Sequence, residues 1–176
     1  IYETVAYNGR DIRQEMLDNF TVHDDSVIDL CCGTGTSTAY GATGVDMSMA
    51  MLREARWRRG KQRGCSFVQG NAENFGDTNS FDVCTVSFAL HEMPSYARIN
   101  VLHNAVRIAK KRAIFCDISD DYSSSIFMQM GEPYLLDYQE NILDEYLALG
   151  SLYGVRDISF FSPVSKKILL VVVDLD

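Results

Sequence analysis

The sequence has 176 residues, of which 47% are apolar, and its formal net charge is −8. This length and composition suit a single globular domain, and the negative charge disfavours a general nucleic-acid surface, which needs clustered Lys and Arg. No apolar run approaches the ~20 residues of a membrane span, and we expect no secretory leader. The chain opens on Ile1 rather than Met, so we expect a piece trimmed at its start.

The five cysteines are odd in number and lie mostly in apolar, strand-like runs. This pattern is not a disulfide framework, and it predicts a reducing compartment, the cytoplasm. The sequence contains no CxxC pair and no HExxH motif, so we expect no zinc site. The stretch 53–63 carries six of the sixteen basic residues, which fits either a solvated helix end or a docking patch for an anionic acceptor or partner.

The apolar pattern predicts a helix over residues 10–20 and then five short strands, at residues 27–30, 42–46, 66–70, 81–90 and 112–118. Further helices are predicted after the capping residue Ser48, from Pro94-Ser95, and over residues 135–149. The last two strands, 155–164 and 166–176, are joined at Ser162-Pro163 and predict an antiparallel pair. Alternation of strands and helices predicts an α/β fold in one domain, residues 1–176, with a mostly parallel sheet between two helical layers.

The most informative stretch is VIDLCCGTG, in which the buried strand 27–30 carries Asp29 and is followed by a turn containing Gly33 and Gly35. Ligands of parallel sheets bind beyond the carboxyl ends of the strands, where the strand order reverses. Asp46 ends the next strand, seventeen positions after Asp29. An acid at that place predicts a contact with the two hydroxyls of a ribose, and the alternative is a helix-capping role.

The third and fourth strands also end in polar residues. GNAENF offers the amide of Asn71 and the backbone of Ala72, which suit an adenine edge; a plain turn is the alternative. SFALHEMP places Ser87, Phe88 and His91 beside the same crevice.

Four stretches in order, VIDLCCGTG, GVDMSMAML, QGNAENF and FDVCTVSFALHEMP, resemble class I S-adenosylmethionine-dependent methyltransferases. The branch is similar to the small-molecule group, methyltransferase type 11, that includes quinone C-methyltransferases. The resemblance covers roughly residues 20–118. It implies a Rossmann-like αβα sandwich with a seven-stranded sheet and a C-terminal antiparallel hairpin. It also implies S-adenosylmethionine as methyl donor and S-adenosylhomocysteine as product.

The same resemblance implies a cofactor role at each matching position. These roles are the methionine part for Asp29, Cys31, Gly33 and Gly35, the ribose for Asp46, the adenine for Met47, Asn71 and Ala72, and the floor near the methyl group for Ser87 and Phe88. The N-terminal YETVAYNGR resembles the family's cofactor lid, residues 1–20, which makes Tyr7 a further candidate contact.

In-line methyl transfer depends mainly on alignment and a dry pocket, and a base is needed only for an acceptor proton of high pKa. His91 is the candidate base, because imidazole titrates near neutral pH; a core histidine that orients the loop is the alternative. His103 lies within an apolar helical pattern and is expected to pack, and His23 is expected at the surface.

Two departures from the family pattern stand out. Cys31 replaces the first glycine of G-x-G-x-G, which is tolerable if its φ is negative, and its sulfur would then touch the cofactor pocket. Only about a dozen residues join Leu30 to Thr43, near the minimum for a parallel crossover. We therefore expect a first helix of one or two turns and a wider acceptor entrance.

The segment 119–133 is Ser-rich and predicted to be irregular, and we expect it to lie on the acceptor side. Its flexible apolar side chains favour an apolar or aromatic small-molecule acceptor: Tyr122, Phe127, Met128 and Met130. An ordinary surface loop is the alternative. The nearby acids Asp117, Asp120 and Asp121 are expected to be solvated, and no metal is expected.

Two other functions remain possible interpretations of the sequence. A non-catalytic S-adenosylmethionine-binding module or partner subunit would explain Cys31 and the short crossover. A nicotinamide-dependent dehydrogenase is disfavoured, because the third glycine of its fingerprint is missing. The oligomeric state is left open.

Overall fold

A computed structural model describes residues 9–60, 64–152 and 154–176. Its strands are β1 (Val27–Leu30), β2 (Thr43–Asp46), β3 (Ser66–Gln69), β4 (Phe81–Ser87), β5 (Ala109–Ile118), β6 (Val155–Val164) and β7 (Ile168–Leu175). They form one sheet in the order β3-β2-β1-β4-β5-β7-β6, and β7 runs antiparallel to both of its neighbours. The predicted mostly parallel, seven-stranded sheet with a C-terminal hairpin is therefore confirmed.

Five α-helices accompany the sheet in the described chain: α1 (Ile12–Phe20), α2 (Met49–Ala55), α3 (Ser95–Ile108), α4 (Ile126–Gly131) and α5 (Leu135–Leu149). Ser48 caps α2 as predicted, since its side chain accepts a hydrogen bond from the amide of Met51. None of the helices within the described residues is long and apolar enough to cross a membrane.

The core lies on both faces of the sheet, because successive strand residues point to opposite sides. Ile114 and Cys116 of β5 pack in the same apolar cluster as the inner face of α1. The alternate residues of β5, Ala113 and Phe115, pack on the opposite face of the sheet with α3 and α5. This arrangement gives the three layers that the sequence predicts.

The connection between β1 and β2 differs from the prediction, because residues 31–42 form turns and contain no helix. The amide of Cys32 donates to the carbonyl of Val45, and the amide of Gly35 donates to the carbonyl of Cys32. The first bond ties the loop to the end of β2 and the second closes a tight turn, so the connection runs as turns. Residues 70–80, which join β3 to β4, also lack a helix, so strand and helix do not alternate at every step.

Four smaller expectations were wrong. Asp117, which was expected to be solvated, is 1% exposed, because it lies within β5 in the core of the sheet. The segment 119–133 contains α4 and is not irregular throughout. Strand β6 has its predicted bounds, but the turn to β7 lies at residues 165–167 rather than at Ser162-Pro163. A proline is tolerated in β6 because it is an edge strand whose register shifts at that point. His103 is exposed on α3 rather than packed, because the buried face of that helix follows neighbouring positions such as Leu102 and Val106.

Candidate active site

A cleft of about 600 Å³ opens beyond the carboxyl ends of the parallel strands. Strand order reverses between β1 and β4, and such a switch point is where ligands of open α/β sheets bind. The volume lies within the usual range for a small-molecule site. Many of the predicted cofactor positions line this cleft, namely Cys31, Gly33, Asp46, Met47, Asn71, Ala72, Ser87 and Phe88.

Asp46 ties the glycine loop to the end of β2. One carboxylate oxygen accepts a hydrogen bond from the amide of Gly33 at 2.9 Å, and the other accepts one from the amide of Ser48 at 2.8 Å. Gly33 has a φ of +52°, and a Cβ added there would meet no atom within 4 Å, so the loop presents bare backbone to open space. Each carboxylate oxygen keeps a lone pair with which it can accept a further hydrogen bond.

We expected Cys31 to replace glycine with a negative φ, but its φ is +57°. The left-handed turn takes the chain off β1 while the next amide, that of Cys32, still bonds to the carbonyl of Val45 on β2. For a residue with a Cβ, this conformation is less stable than the right-handed region by about 1–2 kcal/mol. Burial raises the pKa of the Cys31 thiol to about 12, so the cleft wall here is a neutral sulfur.

Asp29 and Gly35 lie behind the cleft wall and are not among its lining residues. Asp29 is 1% exposed, and its carboxylate accepts hydrogen bonds from the hydroxyls of Thr38 at 2.7 Å and Thr85 at 2.9 Å. Burial outweighs these bonds and raises the pKa of Asp29 to about 6. Gly35 allows close packing, because an added Cβ would lie 2.8 Å from the ring of Phe67.

The ends of β3 and β2 form the other side of the cleft. The side-chain oxygen of Asn71 accepts from the amide of Glu73 at 3.0 Å, and the carbonyl of Ala72 accepts from the side chain of Asn104 at 2.8 Å. These bonds fix the turn that carries both predicted adenine contacts. Met47 is 65% exposed at the rim.

Arg13 of α1 also lines the cleft, and sequence reasoning missed it. Its guanidinium lies 4.2 Å from the ring centre of Phe88, which has a φ of +52° and whose amide donates to the carbonyl of Cys116. Burial lowers the pKa of Arg13, and nearby groups including Asp29 oppose that shift. The sequence does carry an indication that Arg13 is partly buried, because it follows Ile12 at the edge of the apolar face of α1.

The charge of the cleft is uneven. Arg13 is the one cationic side chain among the described residues that line it, whereas Asp46, Glu73 and Glu92 supply carboxylates. A ligand with positive charge and one carboxylate matches this distribution.

His91 is 6% exposed and does not line the cleft. Its Nδ1 lies 2.5 Å from a carboxylate oxygen of Asp117, at the end of β5. Burial by itself lowers the pKa of His91, but the hydrogen bond and charge of Asp117, together with Glu132 and Glu92, outweigh it and raise that pKa.

Tyr7, the predicted lid contact, lies outside the described residues. Within the described part of the chain, no group of three or more His, Cys, Asp or Glu side chains could hold a metal ion.

A family model described as a methyltransferase domain matches residues 27–112. Together with the strand order and the cleft, this match makes the chain similar to class I S-adenosylmethionine-dependent methyltransferases. The chain is 34% identical over 118 residues to a demethylmenaquinone methyltransferase from Shouchella clausii, covering 60% of this chain and 49% of that protein. It is 31% identical over 122 residues to the demethylmenaquinone methyltransferase of Lactococcus lactis, covering 62% and 48%.

The chain thus spans about half the length of these curated relatives. A solved S-adenosylmethionine-dependent methyltransferase from Aquifex aeolicus superposes with a TM-score of 0.65 at 15% identity, over 93% of this chain and 89% of that one. That likeness bears on the fold alone, and it confirms the predicted α/β fold class.

Proposed function

We propose that this chain transfers a methyl group from S-adenosylmethionine to a small-molecule acceptor. The observation that carries the proposal is the cleft at the switch point, with Asp46 at the end of β2 and Arg13 as its one described cation. The cofactor carries a sulfonium, an ammonium and a single carboxylate. Its charges therefore complement a wall of carboxylates with one guanidinium.

Each part of the cofactor has a candidate partner among the lining residues. The free lone pairs of Asp46 suit the ribose hydroxyls, and the turn of Asn71 and Ala72, with Met47 at the rim, suits the adenine. Arg13 suits the carboxylate of the methionine part, because a guanidinium pairs with that group in two parallel hydrogen bonds.

When bound, the cofactor supplies an electrophilic methyl group on a positively charged sulfur. The protein has to align that methyl with the acceptor and exclude water. Ser87 and Phe88, at the end of β4, form the floor where we place this step. Asp29 lies beneath the loop and, with a pKa of about 6, is ionised at neutral pH, where its charge favours a cationic ligand.

An apolar or aromatic acceptor is supported by the side chains at the cleft and beside it. Phe88, Met51 and Met93 line the cleft. Ile126, Phe127 and Met130 of the segment 119–133 are exposed. Two relatives are named demethylmenaquinone methyltransferases, whose acceptor is a quinone-type molecule by that name. We assign this segment to the acceptor side.

The base role predicted for His91 is less well supported than its alternative, because the imidazole does not line the cleft and is bonded to Asp117. We therefore infer that His91 orients the loop after β4.

A non-catalytic cofactor-binding module remains the second candidate function. The observations that favour it are the left-handed Cys31 and the absence of a helix in residues 31–42, which thins one wall. Cofactor-dependent methylation of any member of a panel of quinols, phenols and amines would exclude it.

The placement of the cofactor is tested by comparing two ligands by calorimetry. S-adenosylhomocysteine carries the carboxylate and 5′-methylthioadenosine lacks it. We expect Arg13→Met to weaken the first ligand about tenfold or more, the loss of a hydrogen bond to a charged group, and to leave the second nearly unchanged. Equal weakening of both ligands would contradict the assignment of Arg13, and failure of the unmodified protein to bind either would contradict the proposed function.

A further inference from the structure

The two ring nitrogens of His91 face carboxylates from different parts of the chain. Nδ1 lies 2.5 Å from Asp117 Oδ1 on β5, and Nε2 lies 3.7 Å from Glu132 Oε2, just after α4. Glu92 lies 3.9 Å from the same Nε2. The Tyr138 ring, on α5, lies at 77° to the imidazole, with 6.2 Å between the ring centres. The groups that face His91 are therefore mainly acidic.

The hydrogen bonds that the two ring nitrogens of His91 can donate indicate which protonation state of the imidazole fits this environment. A neutral imidazole donates from one nitrogen only, so if Nδ1 donates to Asp117, a lone pair on Nε2 faces the carboxylate of Glu132. The Glu132 Oε2 atom is buried and has no hydrogen-bond partner. A buried carboxylate oxygen without a partner is unfavourable. An imidazolium removes the conflict, since it turns an N–H and a positive charge toward the Glu132 carboxylate, 3.7 Å away.

Asp117 anchors this group to the floor of the cleft. Its carboxylate also accepts hydrogen bonds from the amides of Leu90 at 2.9 Å and Ile118 at 2.7 Å. The turn that it holds leads directly to Glu92 and Met93, both of which line the cleft. His91 is thus fixed on the side of the cleft.

Glu132 anchors the opposite side. It follows α4 directly, and its amide donates to the carbonyl of Met128 in that helix. Its side chain turns inward toward His91, so the imidazole is the point where the segment 119–133 meets the loop after β4.

We propose that His91, as an imidazolium, is a positioning residue that holds the segment 119–133 against the cleft floor by pairing with Glu132 while Asp117 anchors its other nitrogen. The inference rests on the proposed function only in assigning that segment to the acceptor side. Because the fold raises the pKa of His91 above 6.5, the pairing is fully present below pH 6.5 and is lost as the pH rises through the raised value. Loss of the pairing frees the segment without altering the cofactor half of the cleft.

Hydrogen exchange followed by mass spectrometry, from pH 6 to pH 9 and corrected for the intrinsic exchange rate, tests this pairing. In the unmodified protein we expect protection of residues 126–132 to fall by about tenfold as the pH rises, because the attraction between the imidazolium and the Glu132 carboxylate is lost. Glu132→Gln keeps a hydrogen-bonding group without the charge, so its protection should not change with pH. His103→Gln, at an exposed histidine of α3, is the matched control and should keep the pH response.

Protection that does not change with pH in the unmodified protein, or a pH response that persists in Glu132→Gln, would overturn the inference. Calorimetric titration with S-adenosylhomocysteine at pH 7 separates it from the proposed function. Ligand binding without the pH response contradicts only the pairing. The pH response without ligand binding contradicts only the proposed function and supports the pairing.

Discussion

The free energy of unfolding of the Asp29→Asn variant, taken relative to that of the unmodified chain, should be higher at neutral pH than at acidic pH. Burial raises the pKa of Asp29 from 3.8 to about 6. A folded-state pKa above the unfolded value means that the contribution of the group to stability is fully present below pH 3.8 and is lost as the pH rises through about 6. About two pKa units at roughly 1.4 kcal/mol each give a loss of about 3 kcal/mol, most of it between pH 4 and pH 7.

Asparagine cannot ionise, so the Asp29→Asn variant lacks this loss. Its amide can still exchange hydrogen bonds with the hydroxyls of Thr38 and Thr85, because each hydroxyl both donates and accepts. Urea unfolding at several pH values gives the free energy of unfolding of both proteins. The difference between them should increase by about 2–3 kcal/mol in favour of the variant from pH 4 to pH 7.

Asp82 provides the control with the opposite sign. Hydrogen bonds from the side chain and amide of Ser26 lower the pKa of Asp82 to about 2. A lowered pKa stabilises the fold above pH 3.8 and loses that effect as the pH falls through 2, so Asp82→Asn should run nearly parallel to the unmodified protein above pH 4. Parallel profiles for Asp29→Asn over the same range would refute the account of the buried carboxylate.

Variants at two further positions, Cys31 and Arg98, test the strain and the buried charges of the fold. Cys31→Gly and Cys31→Ala both remove the sulfur, but only glycine relaxes the positive φ, so the glycine variant should be more stable by about 1 kcal/mol in urea unfolding; equal stability would show that the conformation is not strained. Arg98 is fully buried and pairs with Glu145 at 2.6 Å, so Arg98→Met should reduce the free energy of unfolding by about 3–5 kcal/mol by leaving that carboxylate uncompensated. The double variant Arg98→Met, Glu145→Leu should recover most of the loss, and a double variant as unstable as the single one would contradict this reason.

The sheet was predictable from sequence because most of its strands are apolar runs, and the polar residues Asp46 and Ser87 end β2 and β4. The cap at Ser48 was predictable because it depends only on neighbouring residues. Local pattern is sufficient wherever the contacts that form a feature lie close together in the chain.

Features made by distant residues were not predictable in this way. Arg13 reaches the cleft because α1 packs across strands that follow it in sequence, and its partner ring at Phe88 is far along the chain. The pairing of His91 with Asp117 joins residues 26 positions apart. The φ of Cys31 depends on how the first loop leaves β1, which the residue type alone would place in the opposite region.

Calorimetric titration with S-adenosylhomocysteine of the unmodified protein and of Asp46→Ala tests the central claim most directly. Asp46 holds the amides of Gly33 and Ser48 and is the proposed ribose ligand. We expect the unmodified protein to bind one ligand per chain and the variant to show no measurable binding. Undiminished binding by Asp46→Ala, or no binding by the unmodified protein, would contradict it.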